Sequence, residues 1–362
     1  MKPLTNNKTQ FTSKKQNTQK YLKKVLEELK THSYVYFEGN RIVNLKQLSL
    51  YNGLYWDTYK YKVSLNDSIN QNIYIKINKN KDVISQKHLK LEQYIIESYE
   101  NMQYLHNALT QFPGYASIEP IACFPEWLTL ITKESLGTDV WSIIRQKAKF
   151  YPVESNLQKL KWICWKCGKW LSIFQQITRR QDLEPFDFDP IIHYLDSLLV
   201  KLVYHQKSHF SNEFRTKIIN FCQQLIECVP ESDRMVAGIH GDFAPVNILV
   251  HKDEIVVLDL ELPKYGIIYW DSSYFYYHLS TLLEIPIYRP VTIAKLQDSF
   301  IKGFGTPLHQ TKEAVLLCTI HNIIQSLLYL TYHRQNVNWY RRLYDRICYK
   351  KCINKLRKLC KS

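Results

Sequence analysis

The sequence predicts an α+β fold in two lobes, a small one built on an antiparallel β-sheet and a larger, mainly helical one. Three observations carry this. At 362 residues the chain exceeds what a single core usually organises. Apolar–polar alternation of period two is concentrated between residues 33 and 133, the span assigned to the small lobe. From residue 134 to 362 apolar residues recur at helical spacing, broken only by a strand-rich island at 237–259. Hydrophobic residues make up 45% of the chain and aromatic residues 14%, enough to fill two cores.

In chain order, residues 1–32 form a basic N-terminal part. Residues 1–16 are polar and aperiodic and read as a tail. In 18–32, Tyr21, Leu22, Val25, Leu26 and Leu29 share one helical face, which predicts a docking helix. Residues 45–51 alternate as a strand, Asn52–Gly53 is a hairpin signal, and 55–64 alternate as the return strand. A turn at 66–70 leads to a third strand at 73–77, which carries Lys76. Leu91, Ile95, Tyr99, Met102 and Leu105 predict a helix over 87–109, and 118–121 and 128–132 read as two more strands. Gly137-Thr138-Asp139 is a helix-start signal for 140–149. Helices follow at 157–178, 191–205 and 212–228, and they fill most of 272–360.

Several classes are disfavoured. No run of 18 or more apolar residues predicts a membrane-spanning helix, and the polar N-terminus lacks an export signal, so a cytoplasmic location is expected. Nine scattered cysteines without such a signal read as reduced thiols. Cys164 and Cys167 lack a second ligand pair and read as structural positions on a helix. The net charge of +15, from 48 Lys and Arg against 33 Asp and Glu, attracts polyanions without choosing among them. The excess lies at the chain ends and accompanies no nucleic-acid motif, which disfavours nucleic acid as a partner. The basic segment 338–359 reads as a docked helix with a solvated charged face, with contact to an anionic membrane surface as the alternative.

The chemistry-bearing segment is Gly238-Ile-His-Gly-Asp-Phe-Ala-Pro-Val-Asn-Ile-Leu-Val250, followed by Ile255-Val-Val-Leu-Asp-Leu-Glu261. Residues 248–250 and 255–258 are apolar strands around a polar turn, a hairpin that Asn247 enters and Asp259 leaves. A carboxylate and an amide oxygen at a hairpin mouth suit a hard, oxygen-seeking cation such as Mg²⁺. Asp242, five residues before Asn247, is a second carboxylate able to accept a proton from an attacking hydroxyl. Phosphoryl transfer needs these parts, since the protein must position the groups and neutralise charge.

The pattern HGDFxxxN, with Asp-x-Glu beginning twelve residues after the Asn, resembles the aminoglycoside phosphotransferase and choline kinase-like family, which has the two-lobed protein-kinase-like fold. The resemblance implies Asp242 as catalytic base, Asn247 and Asp259 as metal ligands, His240 as a structural loop residue and Glu261 as a supporting one. It further implies Lys76 as the grip on the α/β-phosphates and Glu97, or Glu100 one turn on, as its partner. Lys133, Glu134 and Ser135 would offer backbone groups to the nucleobase. Gly266 and Asp271 resemble the family's G-x-x-x-x-D segment, in which the Asp bonds back to the catalytic loop. No Gly-rich phosphate loop is present; only Asn52–Gly53 marks that turn.

The implied activity is transfer of the γ-phosphate of ATP, with GTP as the alternative, to a hydroxyl of a small molecule such as a sugar, amino alcohol or aminoglycoside. Nucleotide and Mg²⁺ are expected between the lobes. Rival readings are a non-catalytic pseudokinase module and a protein Ser/Thr kinase, the latter disfavoured by HGD in place of HRD. Tyr265, Tyr269, Trp270, Tyr274, Tyr276 and Tyr277, with Trp162, Trp165 and Trp170, are candidates for acceptor contact or for core. The absence of a dense acidic cluster in these helices disfavours a polycationic acceptor.

Overall fold

A computed structural model describes residues 7–53, 55–66, 69–79, 86–179, 184–205, 210–260, 264–305, 312–332 and 339–360. The chain forms two compact units, Met1–Thr138 with Leu249–Pro263, and Asp139–Ile248 with Lys264–Ser362.

The first unit opens with α1 (Asn7–Thr31) and the short α2 (Ser33–Tyr36). The helix thus begins at Asn7, within the segment read as a tail. Strands β1 (Ile42–Asn52), β2 (Trp56–Leu65) and β3 (Asn70–Asn78) follow as consecutive antiparallel neighbours. The hairpin closes where the Gly53 N–H donates to the Trp56 carbonyl at 2.8 Å. After α3 (Gln86–Leu109) come β4 (Tyr115–Ser117), β5 (Pro120–Phe124) and β6 (Thr129–Lys133); β6 and β5 complete a sheet of order β1-β2-β3-β6-β5, to which β4 does not belong. The single strand expected at 118–121 is therefore two. The Ile118 N–H donates to the Val257 carbonyl at 3.1 Å, whereas residues from Pro120 on pair with β6.

Alternation along β2 and β3 gives these strands two different faces. Val63, Ile73, Ile75, Ile77 and Ile131 are buried with Val25 and Leu29 of α1 in one core, so the docking helix predicted over 18–32 is present. Lys60, Asn72, Tyr74 and Lys76 alternate with these residues and face the other way.

The second unit begins as β7 (Thr138–Asp139) passes into α4 (Val140–Lys147), whose first turn is capped by the Asp139 carboxylate accepting from the Ser142 N–H at 2.7 Å. Then follow α5 (Glu154–Thr178), α6 (Asp189–Tyr204), α7 (Asn212–Glu227) and β8 (Val236–Ile239). The hairpin β9 (Ile248–His251) and β10 (Glu254–Val257) comes next. Through parallel pairing of β10 with β4 it joins the first unit in a sheet of order β4-β10-β9-β7. Strand β11 (Lys264–Ile267) returns to pair antiparallel with β8. The remaining helices are α8 (Tyr269–Thr281), α9 (Pro290–Phe304), α10 (Lys312–Tyr332) and α11 (Trp339–Leu359).

Helices α5 and α9 cross backbone to backbone. A Cβ on Gly168 would lie 2.1 Å from the Phe300 carbonyl oxygen, and one on Gly303 would lie 1.9 Å from that of Trp165. Above this crossing runs a ladder of rings. Trp170 stacks on Phe243 at 5.6 Å, Phe243 meets Phe275 at 5.8 Å, and Phe275 stacks on Phe300 at 4.2 Å. Within α10, residues Glu313–Tyr332 are long and apolar enough to cross a membrane, which the sequence reading had not singled out. Ala314, Leu317, Ile320, Ile323, Ile324 and Leu327 are buried within the second unit, which accounts for that composition. On α11, Leu356 is buried, Lys351 pairs with Glu284, and Lys355 lies over the Tyr277 ring.

Candidate active site

The loop between β8 and β9 is held from beneath. The Asp271 carboxylate, wholly buried at the start of α8, accepts from the His240 N–H at 2.6 Å and the Gly241 N–H at 2.9 Å. This is the tether expected of Asp271. Burial raises its pKa even against the opposing influence of His240 and of the two backbone bonds. The loop also turns through Gly241 at φ +81°, a left-handed conformation that favours glycine. Phe243, fully buried in the ring ladder, supplies the apolar anchor.

Between those anchors Asp242 stays exposed. Its N–H donates to His240 Nδ1 at 3.2 Å, so His240 has the structural role expected of it. The Asn247 amide donates to the Asp242 carbonyl at 3.0 Å and to its carboxylate at 2.9 Å. The Tyr274 hydroxyl of α8 also engages that carboxylate. Burial first, and the Asp242 charge second, push the Tyr274 pKa up, keeping the phenol protonated as a donor. Asp242 is thus held by an amide and a phenol, in an orientation set by two elements.

In the first unit, Lys76 of β3 pairs with Asp259, two residues beyond β10. Asp259 adopts a left-handed backbone at φ 55°, unusual for a residue other than glycine and costly unless its surroundings hold it there. The expected pairing of Lys76 with Glu97 is not formed. The Glu97 carboxylate accepts from Gln93 one turn back at 3.0 Å, while Asp259 neutralises the ammonium. Glu100 does not replace it: its charge acts on Cys123 of β5.

The residues expected to meet the nucleobase are largely engaged internally. Lys133 pairs with Glu119 at 2.9 Å, and its N–H donates to the Glu119 carbonyl at 2.9 Å. Glu134 donates its N–H to the Asn72 carbonyl at 2.9 Å. Its carboxylate accepts from Lys60 at 2.5 Å, Asn72 at 2.6 Å and the Tyr74 hydroxyl at 3.2 Å. Burial opposes its ionisation, but these bonds and the Lys60 charge win and hold the carboxyl below its usual range. The N–H groups of Lys133 and Glu134 thus have internal acceptors. Among the described residues, only the Ser135 N–H of this run has no internal acceptor.

Each of the two expected metal ligands, taken by itself, keeps an oxygen of the kind a hard cation takes. Because both Asn247 bonds use its Nδ2, its Oδ1 is left without a partner among the described residues. Asp259 adds a carboxylate that is 46% exposed. Oxygen donors of this kind suit a hard cation. Glu261 lies outside the described residues.

The aromatic candidates separate. Tyr269, Tyr277 and Trp170 are core, whereas Trp270 and Tyr274 are partly exposed on α8. Sequence reading missed His278, which follows Tyr274 by four residues and lies edge-on to it at 4.5 Å. Continuing the four-residue spacing of Trp270 and Tyr274 would have found it.

No protein-family profile and no curated protein matches the chain by sequence. Solved structures do resemble it. A ternary complex of streptomycin, ATP and the aminoglycoside phosphotransferase APH(2'')-IIa is 14% identical, with a TM-score of 0.54 over 91% of this chain and 95% of that one. Choline kinase from Cryptosporidium parvum Iowa II is 17% identical, with a TM-score of 0.51 over 87% and 89%. Ethanolamine kinase from Plasmodium vivax is 14% identical, with a TM-score of 0.51 over 87% and 84%. At such identities the likeness is one of fold: the chain has the two-lobed α+β, protein-kinase-like architecture of these phosphotransferases.

Proposed function

We propose that the protein is a phosphotransferase that moves the γ-phosphate of a nucleoside triphosphate, ATP in the first instance, to a hydroxyl of a small molecule. The observation that carries this reading is the fixed Asp242 carboxylate, exposed for chemistry yet held by Asn247 and Tyr274 on a loop tethered to Asp271. The resemblance in fold to aminoglycoside, choline and ethanolamine kinases supports it.

In this reading Asp242 orients the acceptor hydroxyl and takes its proton. The hydroxyl oxygen bonds to the γ-phosphorus as the bond to the leaving diphosphate breaks. Lys76, on the polar face of the sheet, supplies a cation for the α/β-phosphates, and the Ser135 N–H is the donor left for the nucleobase. Asn247 and Asp259 would hold Mg²⁺, which neutralises phosphate charge when bound.

The test is ADP release from Mg-ATP across a panel of hydroxyl acceptors, alongside nucleotide-induced thermal stabilisation. Asp242→Ala is expected to keep the stabilisation and to lose about 10²–10⁴-fold in turnover, the usual worth of a positioned base. Undiminished turnover in that variant would overturn the mechanism. Failure of Mg-ATP to stabilise the wild type would overturn the nucleotide reading itself.

A further inference from the structure

Helix α11 has two unlike sides. Asp345 and Leu356 are buried on the side that packs against the rest of the second unit. Three contacts fasten that packing. Lys351 pairs with Glu284, Lys355 lies over the Tyr277 ring at 5.5 Å, and Arg357 lies over the Phe214 ring of α7 at 5.7 Å. The opposite side faces outward, and it is not simply polar. Trp339, Leu343 and Ile347 are 75%, 52% and 46% exposed, although each is large and apolar. At four-residue spacing they form one row, within about 80° of the helix circumference.

The row lies among cations. Arg346, Lys350 and Lys358 are exposed, and with the row they fall within about 120° of the circumference. None of these three has an ion-pair or hydrogen-bond partner among the described residues. Over residues 339–359 the sequence holds eight Lys and Arg against one acid, Asp345, and Asp345 is turned inward. The flanking residues 333–338 and 360–362 add no acid. A surface with hydrocarbon just beneath negative headgroups matches both features at once. Trp, Leu and Ile enter the acyl boundary, while Lys and Arg stay at headgroup level with their stems along the apolar layer. A nucleic acid would engage the cations and leave Leu343 and Ile347 against phosphate. A second copy of this face would set cation against cation.

We propose that this face of α11 docks on an anionic phospholipid bilayer, with the helix lying in the plane of the interface and Trp339, Leu343 and Ile347 inserted between the headgroups. The contacts to Glu284, Tyr277 and Phe214 hold the helix from its other side, so docking carries the second unit to the lipid surface with α11 still packed on it. The inference concerns where the chain binds and is independent of the phosphotransferase reading.

Sedimentation of the full chain with lipid vesicles tests it, comparing phosphatidylcholine alone with phosphatidylcholine containing about 30% phosphatidylserine, at about 0.1 M NaCl. The mixed vesicles should be bound at least about tenfold more tightly than the neutral ones. Each cation at an anionic surface is worth about fivefold, so Arg346→Gln, Lys350→Gln and Lys358→Gln together should weaken binding about 100-fold. Leu343→Gln with Ile347→Gln leaves every charge in place and should weaken it about tenfold or more. The substituted side chains are exposed, and an unchanged Tm shows that both variants fold. Equal binding to the two kinds of vesicle, or binding to neither, overturns the proposal. So does tight binding that survives the triple variant, which assigns it to other cations such as those of residues 1–24. Loss in the triple variant without loss in Leu343→Gln with Ile347→Gln overturns the bilayer and leaves a site for soluble polyanions.

Discussion

Replacing Asp271 with Ala removes the acceptor for two backbone N–H groups at once, those of His240 and Gly241. Each buried donor left unpaired costs about 1–3 kcal/mol. The raised pKa of Asp271 shows that burying its charge already offsets part of what the bonds return. The net loss then falls in the lower half of the range, about 3 kcal/mol. In a cooperative unit the size of the second one, that is a drop of about 6–12 °C in Tm. Thermal unfolding followed by circular dichroism measures it, and kcat should fall with it because the loop carrying Asp242 loses its tether. Asp271→Asn keeps one acceptor and removes the charge, so it should lose less. The sign with pH follows from the raised pKa. The contribution of Asp271 is fully present below its ordinary value of 3.8 and declines as pH rises, so the gap between wild type and Asp271→Asn narrows from acid to neutral pH. An Asp271→Ala protein with Tm within about 1 °C of wild type and unchanged kcat would refute the argument.

Tyr274→Phe frees one side of the Asp242 carboxylate and should lower kcat about tenfold while leaving the KM for ATP unchanged, which steady-state kinetics separates. Glu134→Gln weakens the bonds to Lys60, Asn72 and Tyr74 and should destabilise the protein by about 1–2 kcal/mol at pH 7. Because the Glu134 pKa is depressed, that stability is present above its ordinary 4.5 and is lost as pH falls through the folded value. The difference between the two proteins in urea melts should therefore be smaller at pH 3.5 than at pH 7. Gly303→Ala drives a methyl into the Trp165 carbonyl and should cost about 3 kcal/mol or more, visible as a lower Tm or loss of soluble protein.

What could be read ahead of the structure was whatever a local pattern encodes. Period-two alternation located β2 and β3 and placed Lys76 on the polar face, and Asn52–Gly53 located the hairpin between β1 and β2. The spacing of Asp242, Asn247 and Asp259 singled out a loop and a hairpin that the fold does build. Contacts decided by distant partners were not legible. Glu97 and Glu100 occupy neighbouring helical positions, and nothing in α3 reveals that Lys76 meets Asp259 instead. Glu134 is a loop residue in sequence, and its role depends on Lys60, Asn72 and Tyr74, from sixty to seventy-four positions away. The division between β4 and β5 depends on the Ile118 N–H reaching Val257, a pairing across 139 positions. His278 and His321 belong to different helices, and only packing shows that they lie against the rings of Tyr274 and Trp270.

The ring ladder from Trp170 through Phe243 and Phe275 to Phe300 gives the molecule a division of labour. Phe243 is the immediate neighbour of Asp242, so the register of the Asp242 carboxylate is inherited from hydrocarbon that never meets solvent. Trp270, Tyr274 and His278, by contrast, hang on the outward side of the helix that contributes Phe275. On the phosphotransferase reading, exchanging these outward-facing side chains would change which acceptor is admitted, while the hidden scaffold keeps the Asp242 carboxylate where it was.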